Sequence, residues 1–445
     1  MPGLSLRSPL LGQRAFVVLL LLFFVGLSVQ YSHKVLAHRS AIVRWETQLI
    51  GLEAGEDISE RYAYPNPPMM AVLLLPLAKL GQLHPLAAAL VWFYLKVGIT
   101  LLVFRWVFCL VADAGRPFPP WAKALTVLLS IRPVVGDLQH GNVNLFILFL
   151  VAAALACFSR KRDFTAGLLL ALAVACKLTP ALFVPYFLWK RAWRCLAGCA
   201  AGLVLFLYPG VVPGAVLGFG ENQHQLASWY RTMVRPYVVE NQVQAKFANQ
   251  SLVGLVYRLT THTPSASEYD WNTDRYVPLA YDNFLSLDPA AAKRIVLAFE
   301  ALFAALVLWR CRTPLGARGG WRLSAEFAVV VLGMLLFSER TWKHHCVTLV
   351  LPFAVLCYYL AVEARGAARA RVIAALAAAT LLLSATSTEL SEAWGRQAQV
   401  YGAYVFAFVV LLAALTGILS RQSSPVPGTR AALPPRHTVC ALFRT

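Results

Sequence analysis

Apolar runs long enough to cross about 30 Å of hydrocarbon recur along the whole chain. They predict spans near 15–31, 87–111, 121–135, 143–158, 195–217, 293–310, 324–337, 345–362, 370–386 and 402–419. Residues 164–189 are apolar too, but Arg160-Lys161-Arg162 and Lys190-Arg191-Ala192-Trp193-Arg194 flank them. A single crossing would put one basic cluster outside. The pattern therefore predicts a re-entrant hairpin that turns near Cys176-Lys177-Leu178-Thr179-Pro180, which needs surrounding protein or a water-filled cavity. Met69 to Leu80, with Pro76 inside, is too short to span and reads as a partly embedded helix. Residues 15–30 follow Arg7 and Arg14 as a signal peptide would, yet the many spans behind them favour an uncleaved anchor. The expected fold is an all-α polytopic membrane protein of about 10–12 helices, one domain over 1–420. The proline-rich tail, 421–445, reads as disordered and cytoplasmic.

Composition and charge sharpen this picture. Hydrophobic residues make up 59% of 445, charged residues 14%, and mean hydropathy is +0.61. A net charge of +19 raises the question of nucleic acid. Its distribution answers no. With the N-terminus in the cytoplasm, the inner segments are rich in Lys and Arg, with only Asp113, Asp163 and Glu363 as acids. The outer segments, dominated by loops 32–67 and 218–292, carry more acids than bases. Short basic loops stay cytoplasmic, so the excess is a topology signal. Neither long outer loop contains any of the nine cysteines, and no CxxC pair exists, so nothing supports a disulfide framework or a metal site. No cofactor is called for.

Polar strings that interrupt a buried chain are costly, and several on one face suggest a site. Five converge on the outer side. They are Tyr62 to Pro68, Gly136 to Asn144, Asn249 to Leu252, Arg258, and Ser338 to His345. Gly136 to Asn144 is expected as a tight polar turn carrying Asp137, Gln139, His140, Asn142 and Asn144, its two glycines allowing close approach; the plain alternative is a loop that caps two helices. Lys177 falls at mid-membrane by the hairpin argument, where a phosphate would be a fitting counter-ion; otherwise it snorkels. Trp342-Lys343-His344-His345 opens a span, either around an anion or as an interfacial anchor. The outer loops combine Glu46, Glu53, Glu56, Asp57 and Glu60 with Trp229, Tyr230, Tyr237, Tyr269, Trp271 and Tyr276, a mixture suited to a carbohydrate but also common at membrane surfaces.

Assembled, these strings resemble the membrane glycosyltransferases of family 87, which have the GT-C architecture and use polyprenyl-phosphate sugars. The resemblance runs from about Arg39 to Leu360. It rests on Tyr64-Pro65-Asn66-Pro67-Pro68, Gly136 to Asn144, Ala166-Gly167 to Lys177-Leu178-Thr179-Pro180, Asn249 to Leu252 with Arg258, and Trp342 to His345 ahead of Leu351-Pro352-Phe353. It implies transfer of a hexose, mannose-like, from a polyprenyl phosphate to an envelope glycolipid or glycan on the outer face, with inversion. It further implies an acidic base soon after the first span, where this chain has His38-Arg39-Ser40; Glu46 is the nearest acid downstream, with Asp57 behind it, and Asp137 is the alternative on the opposite loop. Lys177, Lys343 and His344 would meet the phosphate. His140, Asn142, Asn144 and Asn249 would orient sugar or acceptor, with Arg258 and Trp342 also at the site. A transporter or flippase of a lipid-linked or small polar substrate is the competing reading, favoured by intramembrane Lys177, Glu300 and Glu326; a non-catalytic partner in an envelope complex is the third.

Overall fold

The computed structural model describes residues 9–270, 275–389 and 391–420. The expected tail from Arg421, and Trp271, lie outside the described residues. The first half runs α1 (Pro9–Leu36), α2 (Ala41–Glu53), α3 (Ile58–Tyr62), α4 (Pro68–Leu83), α5 (Pro85–Val111), α6 (Pro120–His140), α7 (Asn144–Ser159), α8 (Asp163–Cys176), α9 (Phe183–Trp189) and α10 (Trp193–Phe206). Next come α11 (Val211–Leu217), α12 (Phe219–Trp229), α13 (Arg235–Val238) and α14 (Leu252–Thr260). Strands β1 (Ala266–Asp270) and β2 (Arg275–Ala280) pair antiparallel, with Tyr269 opposite Tyr276. The chain continues as α15 (Pro289–Arg310), α16 (Trp321–Leu336), a 3-10 turn over Lys343–Leu349, then α17 (Val350–Val362), α18 (Gly366–Ala385), α19 (Glu392–Val400) and α20 (Ala403–Leu419).

Local chemistry sets these boundaries. Proline stands in the first turn of α4, α5, α6 and α15, where a missing N–H costs nothing. Asp57, Ser251 and Asp288 accept hydrogen bonds from the opening amides of α3, α14 and α15. One extended apolar core links α1–α10 to α16, α17, α18 and α20, while a smaller cluster around Tyr257, Ala292 and Val296 holds the 218–292 loop to α15.

Ten spans are expected from hydropathy; five described helices are long and apolar enough to cross unaided, six if the pair α19 and α20, bent by 59°, counts as one. The five are Val18–Leu36, Pro85–Val111, Trp193–Leu217, Lys343–Val362 and Gly366–Ala385. The apolar segments around 143–158 and 324–337 form helices of 16 residues, about 24 Å long. Both are almost wholly buried among other helices. Protein rather than lipid surrounds them, so they are not held to the thickness of the bilayer. Pro68–Leu83 is likewise a short apolar helix, as its length implies.

Residues 163–190 adopt the expected hairpin. α8 runs 14 residues, the backbone extends at Lys177, and a 3-10 turn at Thr179–Leu182 leads back through α9. Both ends of the hairpin meet the segment between α15 and α16. Arg318 grips Asp163 with two hydrogen bonds, 2.7 and 3.0 Å. Lys190 Nζ donates to Glu326 Oε2 at 2.9 Å and to the carbonyls of Cys311 and Thr313. Tyr186 Oη donates to the same carboxylate oxygen at 2.8 Å, and Thr313 N to the other at 2.5 Å. The sides of the hairpin pack closely on α10, since a Cβ at Gly167 or Gly198 would run into the backbone of Cys195 or Phe164. Anchored at its base, the hairpin carries Lys177 to the far end of the bundle, beside the start of α7.

Glu326→Ala should leave the Lys190 ammonium buried without its anion, at a cost of about 3–5 kcal/mol. The Tm of the detergent-purified protein should fall sharply, and less for Glu326→Gln, which keeps an acceptor for Tyr186.

Candidate active site

The polar stretch at 136–144 is not a loop. α6 continues as helix through His140, and only Gly141, at φ +68°, turns the chain out of it. As a helix, this stretch fixes which side chains share a face. Asp137 and His140 are one turn apart and sit together at the mouth of the bundle. Gly136 lies within the helix and makes no turn.

Around Asp137 a continuous chain of contacts crosses four elements. Lys96, fully buried in α5, donates to the Asp137 carbonyl at 2.6 Å and to its carboxylate at 3.4 Å. The carboxylate accepts from Asn144 Nδ2 at 2.9 Å and from the Leu145 amide at 3.4 Å, so it also caps the opening turn of α7. Asn144 Oδ1 accepts from Lys177 Nζ at 2.6 Å. Two lysines from separate elements thus share one acid, directly or through an amide. Lys96 is a residue that hydropathy reading passed over; a lysine inside a span is its signal.

His344 sits above this chain. Its Nε2 lies 3.2 Å from Asn142 Nδ2, and its ring is 5.1 Å from that of His140, edge to face. His345 follows at 4.9 Å, and Trp342 stacks on His344 at 6.3 Å. His345 Nδ1 accepts from the Trp342 amide at 3.3 Å, which fixes the turn opening this segment. A small cavity of about 20 Å³ opens beside the cluster, lined by Asn144, Lys177, Thr179, Ser338, Thr341 and His345 together with the apolar Ile147, Met334 and Leu335.

The structure thus brings together Asp137, His140, Asn142, Asn144, Lys177, Trp342 and His344. It places the other candidates elsewhere. Lys343 Nζ donates to the Thr386 carbonyl at 2.7 Å, at the end of α18. Asn249 joins Gln244 O, Glu339 O and the amides of Ser251 and Thr341, tying the long 218–292 loop to 339–341. Arg258, fully buried, donates to five carbonyls, those of Ala245, Lys246, Asn249, Gln399 and Val400. Its donors already have partners, so its role there is to hold the loop. Glu46 lines a small groove with Ile42, Leu77, Pro85 and Ala88, and its carboxylate lies where a Gly81 Cβ would be. That groove shares no residue with the cavity above. Among the described residues no group of His, Cys, Asp and Glu is arranged to hold a metal.

Fold and site together define a multi-pass membrane protein with a cluster of buried lysines, an aspartate, amides and histidines at one end of a helical bundle. The sequence model of Glycosyltransferase family 87 matches residues 64–339, so the chain belongs to that family and is a membrane glycosyltransferase. It is 24% identical over 384 residues to the polyprenol-phosphate-mannose-dependent alpha-(1-2)-phosphatidylinositol mannoside mannosyltransferase of Mycobacterium tuberculosis, covering 83% of this chain and 80% of that protein. It is 28% identical over 286 residues to a polyprenol-phosphate-mannose-dependent alpha-(1-2)-phosphatidylinositol pentamannoside mannosyltransferase of Mycolicibacterium smegmatis, covering 64% of this chain and 58% of the relative. An alpha-(1->3)-arabinofuranosyltransferase of Corynebacterium glutamicum is 31% identical over 137 residues, 30% of this chain and 29% of that one. No solved structure matches the chain.

Burial raises the Glu46 carboxyl above its ordinary value, only partly opposed by His38. Its contribution to stability is therefore complete below about pH 4, the unfolded value, and is lost as pH rises through the folded one. Glu46→Gln should remove this term, flattening Tm against pH across that window and raising Tm at pH 7 relative to wild type.

Proposed function

We propose that this chain moves a mannose-like hexose from a polyprenyl-phosphate donor to an envelope glycolipid or glycan at the outer face of the plasma membrane, inverting the anomeric carbon. The observation that carries the reading is the Lys96–Asp137–Asn144–Lys177 chain beneath the His140–His344 pair. Membership of family 87 and the donor named for the mycobacterial relatives support it. The basic inner loops support placing both termini in the cytoplasm and this mouth outside. The flippase reading draws on Glu326, but that acid is taken up by Lys190, Tyr186 and Thr313 at the base of the hairpin.

In the reaction the acceptor hydroxyl oxygen attacks the anomeric carbon from the face opposite the phosphate. The bond from that carbon to the phosphate oxygen breaks, and its electron pair leaves with the phosphate. Lys177, at the hairpin tip, takes up this growing charge, and Asn144 holds its ammonium in place. The hydroxyl proton needs an acceptor. Asp137 is fully buried and engaged by Lys96, Asn144 and Leu145, and Glu46 belongs to another groove. We assign the proton to the imidazole pair, with Asn142 orienting His344 and Trp342 offering a flat face to a sugar. Asp137 then positions Lys96 and Asn144.

The test is transfer of label from a polyprenyl-phosphate mannose by the purified full chain. Absence of both transfer and donor binding would overturn the reading. His344→Ala should lower turnover by about 100-fold or more, and Lys177→Gln should raise the donor KM. Full loss in Glu46→Gln, with turnover kept in both His344→Ala and His140→Ala, would return the base to the acid.

A further inference from the structure

Lys34 and Arg44 are among the cations that the contacts described so far leave over near this mouth. Lys34 lies half-buried in the last turn of α1, and Arg44 lies exposed in the first turn of α2. Neither side chain makes a hydrogen bond or a close ion pair among the described residues; Glu389 is the acid whose charge reaches Lys34. Their neighbours differ. Lys96 is paired with Asp137, Arg340 with Glu339, Arg132 with the Leu383 carbonyl, and Lys343 with that of Thr386.

Packing fixes where these two charges stand. Tyr31 Oη and Ser40 Oγ share a hydrogen bond of 2.7 Å, and both close on Gly141 so tightly that it has no room for a Cβ. Trp92 Nε1 holds the Gly141 carbonyl at 2.9 Å. The junction of α1 and α2 is therefore pressed against the end of α6 that carries His140. Lys34 follows Tyr31 by about one turn, and Arg44 follows Ser40 by about one turn. The charges of both act on His140, and that of Lys177 acts on His344 and His345. Arg44 reaches His344 as well. The imidazole pair thus stands between two cationic seats, one at the hairpin tip and one at the α1–α2 junction.

A donor with one phosphodiester fills one such seat. A neutral acceptor would leave the other empty and self-repelling. We propose that Lys34 and Arg44 form a second anion subsite, which takes the phosphodiester of an acceptor glycolipid headgroup across the histidine pair from Lys177. This rests on the transfer reading above. Guanidinium and ammonium groups bind phosphate oxygens through short, charge-assisted hydrogen bonds, and no acid beside Arg44 competes. The acceptor sugar would then reach inward over His140 while its lipid stays in the outer leaflet.

The experiment uses the full chain in neutral detergent with polyprenyl-phosphate mannose and two acceptors. One is a phosphatidylinositol mannoside and the other an uncharged alkyl mannoside. Wild type should prefer the anionic acceptor, and that preference should weaken as salt rises. In Lys34→Gln/Arg44→Gln the preference in kcat/KM should fall about tenfold or more through the acceptor KM, with Lys34→Arg/Arg44→Lys restoring most of it. Inorganic phosphate at millimolar levels distinguishes a headgroup seat from a general phosphate site. Weak inhibition of both acceptors alike fits the headgroup, whereas strong protection or inhibition lost in the double variant assigns the seat to free phosphate and overturns the proposal. Equal losses on both acceptors, a shift in donor KM alone, or no shift at all would also overturn it. Should wild type transfer to neither acceptor, native mass spectrometry still tests the subsite: phosphatidylinositol mannoside retained by wild type and lost from the double variant supports it, and equal retention sinks it.

Discussion

A charge inside a bilayer protein must find a partner, and the polar mouth of this bundle is arranged around one such demand. Lys96 lies in the middle of a span with no route to solvent. Asp137 is its answer, and the position of Asp137 dictates much else. Its carboxylate also caps α7 and holds Asn144, and Asn144 in turn meets Lys177 from a hairpin more than thirty residues further on. Removing one partner from a buried pair leaves an uncompensated charge, the costlier half of such an interaction. The pair therefore locks α5, α6 and α7 at one level, and it is this level at which the histidines gather.

The same logic recurs at the opposite end. Lys190 and Glu326, with Tyr186 and Thr313, form a second buried network, and Arg318 with Asp163 a third contact beside it. These bind the base of the hairpin, where the chain would otherwise be free to withdraw. Its tip reaches the mouth of the bundle because its base is anchored by these contacts. Intramembrane charge is commonly a sign of function, yet here the two roles separate: Glu326 builds the scaffold, and Lys177 faces the cavity that the scaffold supports.

Arg258 and Asn249 show the same division in the outer loops. Both belong to strings that point to a site, and both turn out to be occupied by backbone groups of 244–251, 339–341 and 399–400. A buried arginine with five carbonyl partners is a clasp for an irregular loop, whose peptide groups need donors that no sheet supplies. Glu46 differs again, since its helix turns it toward α4.

Hydropathy periods, loop charge and polar strings were enough to read a polytopic helical protein, the hairpin with Lys177 near its turn, and the convergence of Asp137, His140, Asn142, Asn144 and His344 at one end of the bundle. Those features follow from local composition, because burying a basic cluster or a polar string in lipid carries a penalty visible in one dimension. What the sequence did not determine is which polar groups are already satisfied. Helix phase decided that Asp137 faces Lys96 and that Glu46 faces another groove. Packing decided that 136–140 remains helical and that 16-residue helices suffice when protein surrounds them. A hydrogen-bond partner distant in the chain leaves no mark on the residues beside it, so the separation of scaffold from site belongs to the tertiary structure alone.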